Sequence, residues 1–517
     1  MPPANPSRAI RKILVANRGE IAVRVIRACR EMGIETVAVY SESDRAALHV
    51  RYADEAYAIG PNTPAESYLC IDKLIDVATR AGADAVHPGY GFLAENAEFA
   101  RCCIDGGLTF IGPSADAMES MGSKTGARQV ATAAGVRVVP GTQAPLAPEV
   151  SDAEIARVAA DLGYPVLIKA VAGGGGKGMR VAAGPEDLAS AIRAARSEAA
   201  SSFGDPAIYL ERRLARPRHI EVQLLGDSHG TIVPFVEREC SIQRRHQKVV
   251  EESPSMAVSP EVRHALASAA VAVAQAVGYT NAGTIEFLLD EDGRFYFLEM
   301  NTRLQVEHPI TELVTGIDLV QWQIRIAQGE RLTPTPDRTL SPNGHAIECR
   351  IYAEDPDNYF LPSPGRLLGL RVPAGPGIRR DDGGVAPGQD VTVFYDPLIA
   401  KLSVWGEDRA QAIARMARAL GEYEVRGIKT SIPFFRWLLA DPSFSEGRFD
   451  TTTLDDLLQT RAGHPFLELS ESCEEVALVA AALHAFDRAH RGPATGAAHT
   501  GAPRSLWKER GRIESLR

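Results

Sequence analysis

The stretch E-M-N-T-R-L-Q-V-E at residues 299–307 carries a polar side chain at every second position. In an extended chain successive side chains point to opposite faces, so this spacing predicts a single polar face. The face would be formed by Glu299, Asn301, Arg303, Gln305 and Glu307. A row of charged and amide groups on one face is typical of an active site.

The residues just upstream predict a β-hairpin. Two apolar runs, T-I-E-F-L-L-D and F-Y-F-L-E-M-N, flank Asp292 and Gly293, and an Asp-Gly pair between such runs is a strong turn signal. With that pair at the centre of the turn, Glu286 lies opposite Glu299. Facing carboxylates repel each other, and a divalent cation that also binds Asn301 would relieve the repulsion. The sequence therefore predicts a magnesium site for a polyphosphate. A solvated hairpin edge is the alternative, which the apolar neighbours disfavour.

The composition indicates a soluble protein of several domains. A chain of 517 residues is long for one hydrophobic core, so we expect several domains, about two to four. A net charge of -10 and an aromatic content of 6% argue against nucleic-acid binding. The seven cysteines are scattered, without a C-x-x-C pair, which fits neither a disulfide framework nor a zinc site. No signal peptide and no apolar run of about 18 residues is found, so we expect no membrane association and a cytoplasmic location.

The first predicted elements form a doubly wound α/β domain. An apolar run at residues 12–17, a helical period at 19–32 and a β-rich run at 36–40 make a βαβ unit. The first turn, N-R-G-E, has one glycine, which disfavours a dinucleotide site because that site needs G-x-G-x-x-G. Residues 85–92 read as a strand that runs into a loop, with the next helix starting at Glu95 and Asn96. Loops at strand ends are where such folds bind ligands.

Two further regions follow a Pro- and Ala-rich segment at residues 140–148. In the second region, strands at 164–170 and 179–182 flank a glycine loop at 173–178, which predicts a hairpin whose tip closes as a lid. From residue 341 the pattern changes to broken β-runs and then a helix at 409–420, stopped by Gly421. A helix-like run to about residue 490 and a tail of linker composition end the chain. The whole is a multidomain α/β and α+β fold.

The glycine loop A-G-G-G-G-K-G at residues 172–178 has the backbone freedom needed to approach phosphate oxygens. It is not a Walker motif, because Lys177 is followed by Gly178 and the flanking elements are strands. By itself the loop is a weak signal, and a flexible surface hairpin is the alternative. Lys124 and Lys169 would be ordinary surface charges without a polyphosphate that needs several cations.

Five motifs in order give the chain a family resemblance. They are A-N-R-G-E at Ala16, H-P-G-Y-G-F-L-A-E-N at His87, G-G-G-G-K-G-M at Gly173, E-R-E-C-S-I-Q-R-R-H-Q-K at Glu237 and E-M-N-T-R-L-Q-V-E-H-P at Glu299. Over residues 8–455 the chain resembles the biotin carboxylases of the ATP-grasp superfamily. The resemblance implies a Rossmann-like pre-ATP-grasp domain at 8–122, an ATP-grasp domain at 123–335 with its glycine-rich lid at about 140–212, and a C-terminal biotin carboxylase domain at 341–460. A helical extension and flexible tail would occupy 461–517.

The resemblance also implies a role for each matching residue. ATP would be bound by Lys124, Lys169, Gly174, Gly175, Glu211, Leu214, His219, Gln243, His246, Glu286 and Glu299. Two Mg²⁺ or Mn²⁺ ions would be held by Glu286, Glu299 and Asn301, and bicarbonate by Lys248, Arg303, Gln305 and the backbone of Val306. Glu307 would be the general base, and Arg350 would stabilise carboxyphosphate and then the biotin enolate. The catalytic residues would thus be Glu307, Arg303, Arg350 and Lys248.

The resemblance further implies partners. The chain has no M-K-M motif, so we expect biotin on a separate biotin carboxyl carrier protein, a separate carboxyltransferase, and a homodimer. The segment F-Y-D-P-L-I-A-K looks most like acyl-CoA carboxylases, with pyruvate as the other acceptor. We hypothesise that Trp507 and its neighbours dock onto a partner. The alternative enzyme is another ATP-grasp ligase that activates a carboxylate as an acyl phosphate, which the R-x-Q-x-E run disfavours.

Overall fold

The computed structural model describes residues 9–142, 144–147, 150–171, 179–461, 463–467 and 471–490. Contacts divide the chain into two units, one up to Phe466 and one from Leu467. In the second unit the described element is the helix Glu471–His490, which confirms the helix predicted there. The tail at 491–517, including Trp507, lies outside the described residues. Among the described helices, none combines the length and apolar character that a membrane crossing requires.

The first unit opens with a five-stranded parallel sheet. In spatial order its strands are Glu55–Gly60, Glu35–Ser41, Lys12–Val15, Ala85–His87 and Thr109–Phe110. The helices around it are Gly19–Glu31, Leu48–Tyr52, Ile71–Arg80, Ala97–Asp105 and Ala115–Gly122. The predicted βαβ start is confirmed. Asn96 caps the fourth helix as its side chain accepts from Phe99 N at 2.7 Å.

A small antiparallel sheet follows, with strands Arg180–Ala182, Val166–Ala170 and Ile208–Arg212 in spatial order. The pairing of the first two confirms the predicted hairpin, whose glycine tip at 172–178 lies outside the described residues. The helices between residues 123 and 340 are Lys124–Ala133, Asp152–Leu162, Pro185–Phe203, Pro260–Ala276, His308–Thr315, Leu319–Ala327 and Pro336–Thr339.

A nine-stranded sheet forms the middle of the first unit. Its strands run Phe295–Asn301, Asn281–Leu289, Arg218–Gly226, Arg238–Arg244, Gln247–Ser253, His345–Tyr352, Leu398–Gly406 and Ile378–Asp382, with Ile232–Pro234 added beside Arg218–Gly226. The strands Gln247–Ser253 and His345–Tyr352 pair antiparallel. One sheet therefore continues from the predicted ATP-grasp region into the predicted C-terminal region, which brings their side chains together.

The C-terminal region completes this sheet with short strand pairs and helices. Glu354–Asp355 pairs with Leu361–Pro362, Gly365–Arg366 with Asp390–Val391, and Gly369–Arg371 with Glu424–Arg426. The helices are Arg409–Glu422, Ile432–Ala440, Pro442–Ser445 and Thr453–Thr460. The prediction that Gly421 stops the first helix is wrong, because the helix continues through it to Glu422. The mixed α/β and α+β fold class is confirmed.

Candidate active site

One cleft of about 540 Å³ collects most of the predicted site residues of the described chain. Its lining includes Lys124, Lys169, Glu211, Leu214, His219, Gln243, His246, Lys248, Glu286, Glu299, Asn301, Arg303, Gln305, Val306 and Arg350. Glu307 is fully buried, and its carboxylate touches Lys248 and Arg350 of the lining. Gly174 and Gly175 lie outside the described residues. The roles implied for these side chains remain predictions.

The hairpin that carries the predicted metal ligands forms, and Glu286 pairs with Glu299. The route to that pairing differs from the prediction. Asp290 N donates to Arg294 O at 2.8 Å, so the turn is longer than two residues, and a β-bulge after Glu286 shifts the register back. Asn301 Nδ2 donates to Glu286 Oε1 at 2.9 Å. The carboxylate and amide oxygens of these residues are ligands that fit a hard divalent cation.

The predicted polar face beyond Asn301 is wrong as a strand, because the strand ends at Asn301. Thr302 N donates instead to Glu95 Oε1 at 2.8 Å, which turns the chain toward the parallel-sheet region. Arg303 donates to Glu95 Oε2 at 2.8 Å and to Gln305 Oε1 at 3.1 Å. The side chains of 303 and 305 reach the cleft from an irregular segment rather than from a pleated strand.

Lys248 contacts three buried carboxylates at the cleft. Its ammonium lies 2.8 Å from Glu286 Oε1 and 2.8 Å from Glu307 Oε1, and it also contacts Glu221. Burial alone would lower the pKa of Lys248, but the three carboxylates raise it well above its ordinary value. Lys248 therefore remains a cation and holds the predicted metal ligand and the predicted base in one place.

Glu307 is held as a carboxylate between two cations. Arg350 reaches Glu307 Oε2 at 2.9 Å on the side opposite Lys248, and the Arg350 Nε donates to Glu251 at 2.6 Å. Burial would raise the pKa of Glu307, yet Lys248, Arg350 and Arg238 outweigh it and lower the pKa well below the ordinary value. Glu307 is therefore in the ionised form that can accept a proton, although its lowered pKa makes it a weaker base than an ordinary carboxylate.

The end of the cleft where the sequence predicts the nucleotide is built around Glu211. Lys169 donates to Glu211 Oε2 at 2.5 Å, and Arg128 binds the other oxygen while donating to Val139 O at 2.7 Å. Burial would lower the pKa of Lys169, but Glu211 raises it, so the lysine stays charged. Lys124 lies in the same cleft, where burial lowers the pKa of its ammonium. These cations suit an anionic phosphate chain.

His219 lies between the predicted nucleotide end and the hairpin. Its Nε2 lies 3.0 Å from Glu286 Oε2, and its Nδ1 lies 2.9 Å from the amide of Gln243. Arg245 and His246 follow at a tight turn with φ values of 50° and 65°, which link the strands Arg238–Arg244 and Gln247–Ser253. This turn places His246 at the cleft margin and Lys248 on its floor.

The sequence prediction missed several residues that fix this geometry. They are Glu95, Arg128, Glu221, Glu251 and Lys401, each of which contacts a predicted site residue. Glu95 and Glu221 carried a local signal, at a helix start and in alternation with His219. The other three lie in a helix or in buried strands, and their contacts cross between distant segments.

Three family models match the chain in consecutive segments. Family models match residues 9–118 (biotin carboxylase, N-terminal domain), 123–335 (carbamoyl-phosphate synthase L chain, ATP binding domain) and 348–456 (biotin carboxylase C-terminal domain). One of the pyruvate carboxylase subunits of Methanothermobacter thermautotrophicus is 53% identical over 446 residues, covering 86% of this chain and 89% of that protein. Biotin carboxylase of Nostoc sp. is 51% identical over 446 residues, covering 86% and 99%.

Longer relatives and solved structures agree. The mitochondrial methylcrotonoyl-CoA carboxylase alpha subunit of Dictyostelium discoideum is 50% identical over 86% of this chain, but the match spans 63% of that protein. The biotin carboxylase domain dimer of Hydrogenobacter thermophilus 2-oxoglutarate carboxylase, solved with MgADP, ADP and bicarbonate, has a TM-score of 0.84 at 47% identity, covering 90% of this chain and 100% of that one. The Campylobacter jejuni biotin carboxylase β-γ-ATP complex gives 0.83 at 46%, covering 87% and 99%. The chain therefore belongs to the biotin carboxylase family and is an ATP-dependent carboxylase ligase.

Proposed function

We propose that the cleft carboxylates the N1 atom of biotin in two steps, with the roles that the family resemblance implies. Lys124, Lys169, Glu211 and His219 bind ATP with the other nucleotide residues, and Glu286, Glu299 and Asn301 would hold two Mg²⁺ or Mn²⁺ ions. These ions would supply positive charge to the phosphate chain. The facing carboxylates of Glu286 and Glu299 support this assignment, because burial and the charge of Glu286 raise the pKa of Glu299, a strain that a cation would relieve.

The first step joins bicarbonate to the γ-phosphate. Lys248, Arg303, Gln305 and the Val306 backbone orient bicarbonate, and Glu307 takes its proton. The bicarbonate oxygen then forms a bond to phosphorus, the bond to the ADP oxygen breaks, and carboxyphosphate and ADP result. Two anions must meet here, so fixed cations lower the barrier, with an effect of about 3–4 kcal/mol for each well-placed donor. The observation that carries the proposal is Glu307, buried and ionised between Lys248 and Arg350 at 2.8 and 2.9 Å.

In the second step carboxyphosphate separates into CO₂ and phosphate. The phosphate takes the N1 proton of biotin, and the resulting enolate, stabilised by Arg350, forms the new bond to CO₂. A closed cleft would protect the intermediate from water.

The substrate arrives on a partner in this proposal. Biotin is carried by a biotin carboxyl carrier protein, and a carboxyltransferase passes the carboxyl group to an acyl-CoA or, alternatively, to pyruvate. We also propose that the chain forms a homodimer and is located in the cytoplasm. A relative that is a carboxylase subunit supports the separate partners, and a related dimer structure supports the homodimer.

Arg303→Lys tests the bicarbonate assignment. Lysine keeps the charge but loses the planar pair of donors, so we expect KM for bicarbonate to rise at least about tenfold while KM for ATP is unchanged. Arg371→Lys, at the exposed Glu424 ion pair, is the matched control. A rise in KM for ATP alone would contradict the assignment.

A further inference from the structure

Lys401 is a fully buried lysine outside the lining of the cleft. It lies in the strand Leu398–Gly406, and its ammonium donates to Val306 O at 2.9 Å. The carboxylate of Glu20 lies 3.2 Å away, and the ring centre of Tyr90 lies 5.6 Å away. Burying an ammonium costs free energy even when it is paired. The proposed carboxylation steps assign Lys401 no task, so its burial beside Val306 calls for a separate explanation.

The contacts with Glu20 and with Val306 come from separate parts of the first unit. Glu20 belongs to the helix Gly19–Glu31 beside the parallel sheet, whereas Lys401 belongs to the large sheet. Val306 lies in the short turn between the strand Phe295–Asn301 and the helix His308–Thr315. Lys401 therefore ties this turn to two layers of the fold by one side chain.

The bonded carbonyl belongs to the peptide that joins Val306 to Glu307. That peptide is planar, so fixing its oxygen also fixes the orientation of the Glu307 backbone. Its two residues carry adjacent proposed roles, since the Val306 backbone binds bicarbonate and Glu307 removes its proton. The carbonyl of Gln305 accepts from His308 at 2.8 Å, whereas the carbonyl of Val306 accepts from Lys401.

The sheet register explains how Lys401 arrives there. Lys401 pairs directly with Arg350 on the neighbouring strand, so both side chains leave the sheet on the same face. Arg350 reaches the Glu307 carboxylate, and Lys401 reaches the peptide beside it. The two paired strands therefore place one cation at the carboxylate of Glu307 and another at the peptide group that precedes Glu307.

We propose that Lys401 is a positioning residue for the carboxylation reaction, which holds the Val306–Glu307 peptide where bicarbonate and the base meet. This inference rests on the proposed bicarbonate site. It does not require Lys401 to touch any substrate. Its specific consequence is that losing the bond impairs the use of bicarbonate but not the binding of ATP.

The test uses a double variant that removes Lys401 together with the carboxylate of Glu20, so that neither partner of this ion pair is left without the other. Burial raises the pKa of Glu20 to about 7 despite the opposing effect of Lys401, so Glu20→Gln is a mild change near neutral pH. The full chain is prepared as Glu20→Gln and as Glu20→Gln with Lys401→Met. Lys12→Met is the control, since Lys12 also has an ion-pair partner, Glu55 at 2.7 Å, but lies at the start of the parallel sheet.

ADP release is measured against bicarbonate and against ATP at saturating co-substrate. We expect Glu20→Gln and Lys12→Met to match the wild type, and the double variant to raise KM for bicarbonate at least about tenfold, as expected for losing a hydrogen bond to a charged group. KM for ATP should not change. The inference is overturned if KM for bicarbonate is unchanged in the double variant, or if both KM values rise together. Arg303→Lys is run alongside. If it too leaves KM for bicarbonate unchanged, the proposed bicarbonate site itself fails.

Discussion

Replacing Glu307 by glutamine removes the proposed base while keeping its shape. A general base contributes about 10²–10⁴ in rate. Glu307 also accepts from Lys248 at one oxygen and from Arg350 at the other, both within 2.9 Å. A glutamine amide has one oxygen, so its NH₂ group must face one of these cations and lose a charge-assisted bond of about 1.5–3 kcal/mol. Together these losses predict a fall in kcat of at least about 10³.

The matched control is Glu348→Gln. Glu348 is also fully buried in the same sheet, but its carboxylate accepts from Ser403 at 2.7 Å and does not touch Glu307. Burial raises the pKa of Glu348 to about 7, so a neutral amide replaces a group that is already partly protonated at neutral pH. We expect its kcat to stay within about threefold of the wild type, or about 0.6 kcal/mol.

The assay is bicarbonate-dependent ADP release at saturating ATP and biotin, followed from pH 5.5 to 9. Because the pKa of Glu307 lies below its ordinary value of 4.5, its base form is present above that value and is lost only as the pH falls further. Glu307 should therefore contribute no acid limb within the measured range. The reasoning is refuted if Glu307→Gln keeps more than about a tenth of wild-type kcat, or if Glu348→Gln falls equally far.

Two further predictions concern other parts of the chain. Arg128→Met should raise KM for ATP about tenfold and leave KM for bicarbonate unchanged, because Glu211 then bonds Lys169 alone and competes with phosphate for it; Arg101→Met, at an exposed ion pair with Glu119, is the control, and an unaltered KM for ATP would speak against this role. Asp44→Asn should lower Tm at pH 7, and the difference from the wild type should shrink toward pH 3. Burial favours the neutral carboxyl, but Arg18 outweighs burial and lowers the pKa of Asp44 below 3.8. The stabilisation by Asp44 is therefore present above that value and is lost as the carboxyl becomes protonated. A Tm difference that is independent of pH would contradict it.

Local patterns predicted the parts of the site that depend on neighbouring residues. The Asp-Gly signal between two apolar runs was enough to predict the hairpin, and in the structure Glu286 does pair with Glu299. The turn itself was misplaced, because a two-residue Asp-Gly turn and a longer turn with a compensating bulge give the same pairing at that point.

The parts that could not be predicted depend on distant contacts. The chain leaves the sheet after Asn301 because Glu95, which lies in another region, binds Thr302 N. Lys401 lies inside the apolar run L-I-A-K-L, where the sequence shows only a lysine in a strand. Its contact with Val306 forms because the strand pairs with His345–Tyr352 and brings Lys401 beside that residue. Such pairings between distant strands leave no local periodic signal.

The most direct measurement is ADP release by the full chain with Mg²⁺, with and without bicarbonate and free biotin. The account predicts turnover that requires bicarbonate, increases with biotin and is accompanied by carboxybiotin. Turnover that is indifferent to both bicarbonate and biotin would contradict it and would point to another ATP-grasp ligase.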